Sequence, residues 1–243
     1  MTGSTRQLPL VLPVVERRGR EDWIVSASNR AAGDLIDRAP DWPSDVVVLV
    51  GPVGAGKSHL ARIFAEENGG RIVEAGEIAD HDPLELAACG AVVVEDAGEG
   101  VDERALFHLL NAVRQAGGRC LVTARRPPSA WGLGLADLAS RLRAATPVEV
   151  AEPDDALLEA LIAKLFADRQ TTVDPAVVSY VARRMERSFA AAVGLVDALD
   201  RAALAAKGPI TRAVAARVLE DGFDAAPRLP GLDADDETGK NPS

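Results

Sequence analysis

The sequence has few residues of the kinds that hold metal ions or form disulfides. Its 243 residues include three histidines and two cysteines, Cys89 and Cys120. Each cysteine lies at the edge of an apolar run, which predicts buried structural thiols and neither a disulfide nor a metal site. The histidines are scattered without the spacing of zinc ligands. This scarcity excludes disulfide scaffolds and zinc fingers, and it fits a reducing, cytoplasmic compartment.

Long apolar runs and an excess of positive charge are also missing. No run approaches the roughly 18 apolar residues that a membrane helix needs, so we expect no membrane association. The net charge of −10 argues against a large basic face for general nucleic-acid binding, and we expect DNA contacts to be local or made through a partner. Hydrophobic residues make up 47% of the chain, which is typical of a globular protein.

Strand and helix patterns alternate through the first part of the chain. Unbroken apolar runs at 46–50 and 91–94 are typical of strands buried on both faces, and 119–123 is predicted as a third strand. Because helical patterns separate these runs, we predict an α/β fold with a parallel sheet flanked by helices. Beyond Pro153 only helical patterns follow, which predicts a small all-α subdomain. We divide the chain into an N-terminal segment (1–20), an α/β base (21–150), a helical lid (151–224) and an acidic, disordered tail (225–243).

A glycine-rich loop follows the first predicted strand and precedes a helix. It matches G-x-x-x-x-G-K-[ST], in which backbone N–H groups surround phosphates, the lysine contacts the terminal phosphates and the hydroxyl ligates Mg²⁺. The sequence therefore predicts a site for ADP or ATP with Mg²⁺, and a coincidental glycine turn is the alternative. The predicted nucleotide contacts are Gly51, Pro52, Val53, Gly54, Ala55, Gly56, Lys57, Ser58 and His59.

Two carboxylates, Glu95 and Asp96, end the strand predicted at 91–94. A P-loop needs an acidic partner on a neighbouring strand to hold the Mg²⁺ shell and orient water. We therefore assign Glu95 and Asp96 as catalytic candidates and, with Ser58, as Mg²⁺ ligands. Enzymes with this loop usually carry Asp first, so the reversed order predicts secure binding with weak or no hydrolysis. Whether the chain is an enzyme stays open at this point.

Five segments, in their order and spacing, resemble those of the AAA+ ATPases of the bacterial replication initiator DnaA group. They cover roughly residues 22–220: Trp23–Val25 with Ser28–Arg30, GPVGAGKSHL, FHLLNAVRQAGGRCLVTARRPP, SRLRAATPVEVAEPDD and RSFAAAVGLVDALDRAAL. Members of that group continue into a helix-turn-helix domain that reads DNA. No such pattern follows the lid in this sequence, so we expect the AAA+ module alone.

An apolar, proline-bounded strip precedes the module. Its residues Gln7, Leu8, Pro9, Leu10 and Leu12 resemble the peptide by which bacterial replication proteins bind the DNA polymerase sliding clamp. An arm packed on its own domain is the alternative. With a DnaA-like module, the strip resembles the Hda family, regulatory inactivators of DnaA. The resemblance implies that an ADP-bound protein on the clamp stimulates ATP hydrolysis by DnaA and reaches DNA only through the clamp. A homo-oligomer stays possible.

The resemblance also implies roles for individual residues. Ile24 and Val25 would pack on adenine, or else form a plain core contact. Arg187 would contact the phosphates from the lid, unless it is simply solvated. Arg141 would act as an arginine finger on a neighbouring subunit, with Arg143 as the alternative. Thr123 would be a polar contact to the nucleotide.

One position departs from the DnaA group. Arg125 stands where the group usually has an acidic sensor, so no acidic sensor is assigned. Two further functions stay open: a DNA-facing initiator or helicase-loader paralogue with its own ATPase, and a nucleotide-dependent scaffold on the clamp.

Overall fold

The computed structural model describes residues 19–224, and the predicted clamp strip and acidic tail lie outside this range. Within it, five strands form one parallel sheet in the order β2-β3-β4-β1-β5. The strands are β1 (Val46–Val50), β2 (Arg71–Glu74), β3 (Ala91–Ala97), β4 (Arg119–Ala124) and β5 (Thr146–Glu149).

Helices cover both faces of the sheet and then continue beyond it. The helices are α1 (Arg30–Ile36), α2 (Lys57–Glu67), α3 (Pro83–Ala87), α4 (Glu103–Gln115), α5 (Ala136–Ala144), α6 (Asp155–Asp168), α7 (Pro175–Ala182), α8 (Phe189–Ala206) and α9 (Arg212–Asp221). Short 3₁₀ turns lie at Arg20–Asp22, Ala39–Asp41, Ala75–Asp80 and Pro128–Ala130.

Alternate residues of the central strands supply two separate cores. Val46 and Val48 of β1 pack with α3, α4 and α5, whereas Val47 and Leu49 pack with α1 and α2. This alternation follows from the two-residue period of a strand, and it places α5 and α2 on opposite faces of the sheet. Cys120 belongs to the first core, where burial raises the pKa of its thiol to about 12, while Cys89 is only half-buried.

The last four helices have a core of their own. Aliphatic and aromatic side chains of α6, α7, α8 and α9 form this third cluster, and Ile24 from the N-terminal part packs against its edge. The predicted fold class, a parallel sheet flanked by helices and followed by an all-α lid, is thereby confirmed. Strands β2 and β5 and helices α3 and α5 were not predicted, because their short, partly exposed segments carry weak patterns.

Candidate nucleotide site

The loop between β1 and α2 depends on glycine at three positions. Gly54 and Gly56 have φ values of +77° and +93°, in the left-handed region that glycine adopts without strain. At Gly51, a Cβ atom would lie 2.1 Å from the carbonyl oxygen of Val150. Gly56 is also the N-cap of α2 and has no side-chain oxygen for the first-turn amides. The loop and helix together form the backbone arrangement that binds anions.

Lys57, the first residue of α2, is folded back over the loop. Its side chain is buried, and Nζ donates to the carbonyl oxygens of Gly51 and Pro52 at 2.9 and 2.8 Å. Burial lowers the pKa of Lys57, while the carboxylates of Asp96 and Glu95 act in the opposite direction. Its neighbour Ser58 is exposed beside it. The ammonium is thus held within the loop by backbone acceptors.

Strand β3 ends in a bulge that contains both predicted carboxylates. Val94 pairs with Val122 and Ala97 with Ala124, so Glu95 and Asp96 together stand opposite Thr123. Asp96 has φ +53°, and its backbone N–H donates to Oγ1 of the buried Thr123 at 3.0 Å. The Thr123 hydroxyl, predicted to contact the nucleotide, is therefore bonded to the bulge.

Glu95 lies next to another acidic strand end. It stands opposite Glu74 of β2 in the sheet register. Partial burial raises the pKa of Glu74, and the nearby charges of Glu95, Asp96 and Glu77 raise it further. Negative charge is therefore concentrated at the carboxyl ends of β2 and β3, beside the cationic loop.

Two arginines follow β4; one pairs with the end of β3 and the other with the segment after it. Arg125 lies 3.6 Å from the Asp96 carboxylate, and Arg126 lies 3.0 Å from that of Glu99. All four side chains are exposed. They line a cleft of about 260 Å³ together with Trp131. Sequence reasoning identified Arg125 only as a departure from a pattern, because a contact with Asp96 depends on the sheet order.

The lid touches the glycine loop directly at the start of α8. The Phe189 N–H donates to the Gly54 carbonyl oxygen at 3.3 Å. A Cβ on Gly54 would lie 2.4 Å from that of Ser188, and one on Gly56 would lie 3.1 Å from the Phe189 ring. The lid therefore packs against the loop so closely that a side chain at Gly54 would clash with Ser188, and one at Gly56 would make a tight contact with Phe189. Nothing in the sequence pattern singled out Phe189.

Arg187, predicted to contact the phosphates, precedes α8 and turns toward α6. Its guanidinium donates to the Asp155 carboxylate at 2.5 Å and to the Pro153 carbonyl oxygen at 3.0 Å. Ser188 is the N-cap of α8, so Arg187 lies just before the helix. A phosphate contact by Arg187 would require the Asp155 pair to open, and that role stays a prediction.

The predicted adenine-packing pair lies on a turn built by Asn29. The buried Asn29 side chain donates to the Ile24 carbonyl oxygen at 2.9 Å and accepts from the Ser26 N–H at 2.8 Å. Ile24 is half-buried against the lid core, and Val25 is 47% exposed.

The buried Trp23 ring packs edge-on against His59, with centroids 5.4 Å apart. This contact joins the N-terminal segment to the first turn of α2, so His59 contacts Trp23 next to the loop.

Arg141, the predicted arginine finger, lies away from the chain's own loop. Its guanidinium donates to Asn111 Oδ1 on α4 at 2.6 Å and lies 6.0 Å from the centre of the Phe107 ring. Leu138 and Leu142 anchor α5 in the core on the sheet face opposite α2. Arg143, two residues on, is exposed.

Comparisons with known proteins indicate the same architecture. The chain is 24% identical to the chromosomal replication initiator DnaA of Thermomicrobium roseum over an alignment of 232 residues, and the match covers 83% of this chain and 49% of that protein. Domain III of Thermotoga maritima DnaA superposes with a TM-score of 0.72 at 16% identity, covering 86% of this chain and 98% of that one. The described residues therefore share the fold of DnaA domain III, an AAA+ fold.

A further solved structure shares this AAA+ fold. Aquifex aeolicus DnaA bound to AMPPCP superposes with a TM-score of 0.64 at 18% identity, covering 74% of this chain and 64% of that one. No protein-family model matches the chain. The chain spans about half the length of the Thermomicrobium roseum DnaA.

Residues 19–224 lack both a membrane-spanning helix and a cluster of metal-binding side chains. Within that range no helix is both long enough and apolar enough to cross a bilayer. Over the same residues, no three His, Cys, Asp or Glu side chains are grouped to hold a metal ion.

Proposed function

We propose that the AAA+ domain binds an adenine nucleotide with Mg²⁺ at the loop Gly51–Ser58. The observation that carries this proposal is the loop geometry: two left-handed glycines, a helix N-terminus at Gly56 and a buried lysine bonded to loop carbonyls. Lys57 would exchange its two carbonyl acceptors for terminal phosphate oxygens. Phosphate is the stronger partner, because a charged acceptor strengthens the hydrogen bond.

The residues present fit a Mg²⁺ ion of the kind that P-loops use. Mg²⁺ keeps several waters and takes most other ligands from phosphates and one or two carboxylates, so it needs no cage of protein groups. Ser58 in the first turn of α2 would supply the hydroxyl, and Glu95 and Asp96 at the end of β3 would hold the outer shell. Mg²⁺ would neutralise phosphate charge when bound.

Beyond nucleotide binding, we propose a regulatory role in replication initiation. The chain would bind the sliding clamp through Gln7–Leu12 and, in its ADP-bound state, stimulate hydrolysis of ATP on DnaA. The position of Arg141 supports this proposal, because α5 lies on the sheet face opposite α2 and presents its arginine away from the chain's own phosphate loop. The function would be that of an Hda-like negative regulator in the cytoplasm.

The likeness to DnaA favours a second candidate. A paralogous initiator or helicase-loader ATPase would share the fold and the loop, and it would hydrolyse its own ATP. The reversed Glu95–Asp96 pair and the Arg125 contact with Asp96 favour the regulator, since both weaken the machinery for hydrolysis in the same chain.

The deciding experiment measures conversion of DnaA-bound ATP to ADP in the presence of this protein and clamp loaded on DNA. We expect wild type to accelerate the conversion and Arg141→Ala to reduce it by roughly 10³-fold or more if the finger acts fully. Arg143→Ala is the matched control on the same helix and should retain activity. Equal activity of Arg141→Ala and wild type would overturn the arginine-finger mechanism.

Recruitment is tested separately with Gln7→Ala combined with Leu10→Ala. We expect this variant to lose clamp binding in a titration, since a short peptide depends on a few anchor side chains. Nucleotide affinity should be unchanged. Wild-type clamp affinity in this variant would contradict the proposed motif, and loss of stability would instead favour an arm packed on the domain.

A further inference from the structure

The sheet order places a cation between the glycine loop and the carboxylates of β3. Strand β4 lies between β1 and β3, and the Gly51 N–H donates to the Ala124 carbonyl oxygen at 3.1 Å. Arg125 is the next residue after Ala124, so its backbone lies beside this contact between the ends of β1 and β4. Burial lowers the pKa of Lys57, and among the nearby charges the Asp96 carboxylate raises it while the Arg125 guanidinium lowers it.

Thr123 holds the backbone of Asp96, and Arg125 forms an ion pair with its carboxylate. The bulge and the Thr123 hydroxyl hold the Asp96 main chain at φ +53°. The Asp96 carboxylate then lies 3.6 Å from the Arg125 guanidinium. A carboxylate that orients an attacking water must offer a free oxygen near the terminal phosphate, and an ion pair with Arg125 competes for that oxygen.

We propose that Arg125 restrains Asp96 and thereby suppresses hydrolysis of ATP bound to this same chain. The inference rests on the proposed nucleotide site. Arg125 is a positioning residue, and Asp96 is the carboxylate on which it acts. In the suppressed reaction a water oxygen bonds to the γ-phosphorus while the bond to the β–γ bridging oxygen breaks. The products are ADP and inorganic phosphate, and the proton from water passes through Asp96 to solvent.

The exposure of the pair sets the size of the effect. The Arg125 and Asp96 side chains are 64% and 58% exposed, so solvent screens their attraction and the restraint is weak. Exposed pairs of this kind correspond to changes of about two- to fivefold in an equilibrium. The restraint is therefore one that a partner protein could release.

Single-turnover hydrolysis of ATP by this protein alone, without DnaA, tests the inference. We expect Arg125→Ala to raise the rate by about two- to fivefold, while the KM for ATP and the affinity for ADP stay unchanged. Arg125→Lys keeps a cation at the position and should retain most of the restraint. Arg126→Ala is the matched control, because it removes the neighbouring pair with Glu99 and leaves Asp96 untouched.

A double variant shows whether the gain passes through Asp96. Arg125→Ala combined with Asp96→Asn should lose the acceleration. An unchanged or slower hydrolysis rate in Arg125→Ala would overturn the proposal. So would an equal acceleration when Arg125→Ala is added to Asp96→Asn. An equal acceleration in Arg126→Ala would overturn it as well. Failure of the wild-type protein to bind ADP in the same titration would instead overturn the nucleotide site and this inference with it.

Discussion

The glycine loop and the ends of β3 and β4 share one edge of the sheet but are built from different parts of the chain. Backbone conformation shapes the loop, through two left-handed glycines and the close approach of Gly51 to Val150. Side-chain partners shape the strand ends, through the Thr123 hydroxyl and the Arg125 ion pair. A site built from backbone fails when one atom is added, whereas a site built from side chains can be retuned by one substitution. We therefore expect substitutions to change the proposed nucleotide binding and the proposed hydrolysis independently.

We expect the largest loss of stability from a substitution at Gly51. A methyl group on Gly51→Ala would lie 2.1 Å from the Val150 carbonyl oxygen, so β1 and the segment after β5 must separate. We expect the free energy of unfolding to fall by about 3 kcal/mol, at the upper end of what overpacking causes. Urea denaturation measures the change. Gly76→Ala is the control, because no atom lies within 4 Å of the added Cβ. Equal stability of the two variants would contradict the account of the loop.

Lys57→Ala tests whether the loop binds nucleotide through its one buried cation. We expect the variant to lose ADP and ATP binding, since no ammonium remains to meet the terminal phosphates. Added Mg²⁺–ADP at a hundred times its Kd stabilises a binding protein by about 2.7 kcal/mol, and this gain should vanish. Thermal unfolding with and without nucleotide measures it. Arg62→Ala removes an exposed cation from the same helix, and nucleotide should stabilise it as much as it stabilises the wild type. Full stabilisation of Lys57→Ala by Mg²⁺–ADP would exclude the proposed role of Lys57.

The smallest effect is expected at the strand ends. Thr123→Val keeps the shape of the buried side chain but removes the acceptor for the Asp96 N–H. Loss of one such hydrogen bond reduces the free energy of unfolding by about 1 kcal/mol. Chemical denaturation should show this loss, and Thr123→Ser, which keeps the hydroxyl, should restore most of it. A wild-type value for Thr123→Val would mean that the bulge does not depend on this bond.

Local patterns in the sequence identified the parts of the fold that depend on neighbouring residues along the chain. The buried strand at 46–50 is an unbroken apolar run, the strand at 119–123 has an apolar centre at Cys120–Val122, and the four lid helices carry helical patterns. The glycine loop was also predicted from the sequence, because its geometry requires glycine at fixed positions. Strand β5 was not predicted, because Thr146, Pro147 and Glu149 leave it without an apolar run. Its pairing with β1 makes it a strand.

Residue identity and spacing determined the α/β class, the glycine loop and the two carboxylates at the end of β3, because each depends on short-range backbone chemistry. Only the tertiary structure decided which charges meet. Arg125 reaches Asp96 because β4 lies beside β3, Arg187 pairs with Asp155 because α6 begins next to α8, and Phe189 covers the loop because the lid folds back. Such contacts join residues far apart in the chain, and no local pattern encodes the packing that brings them together.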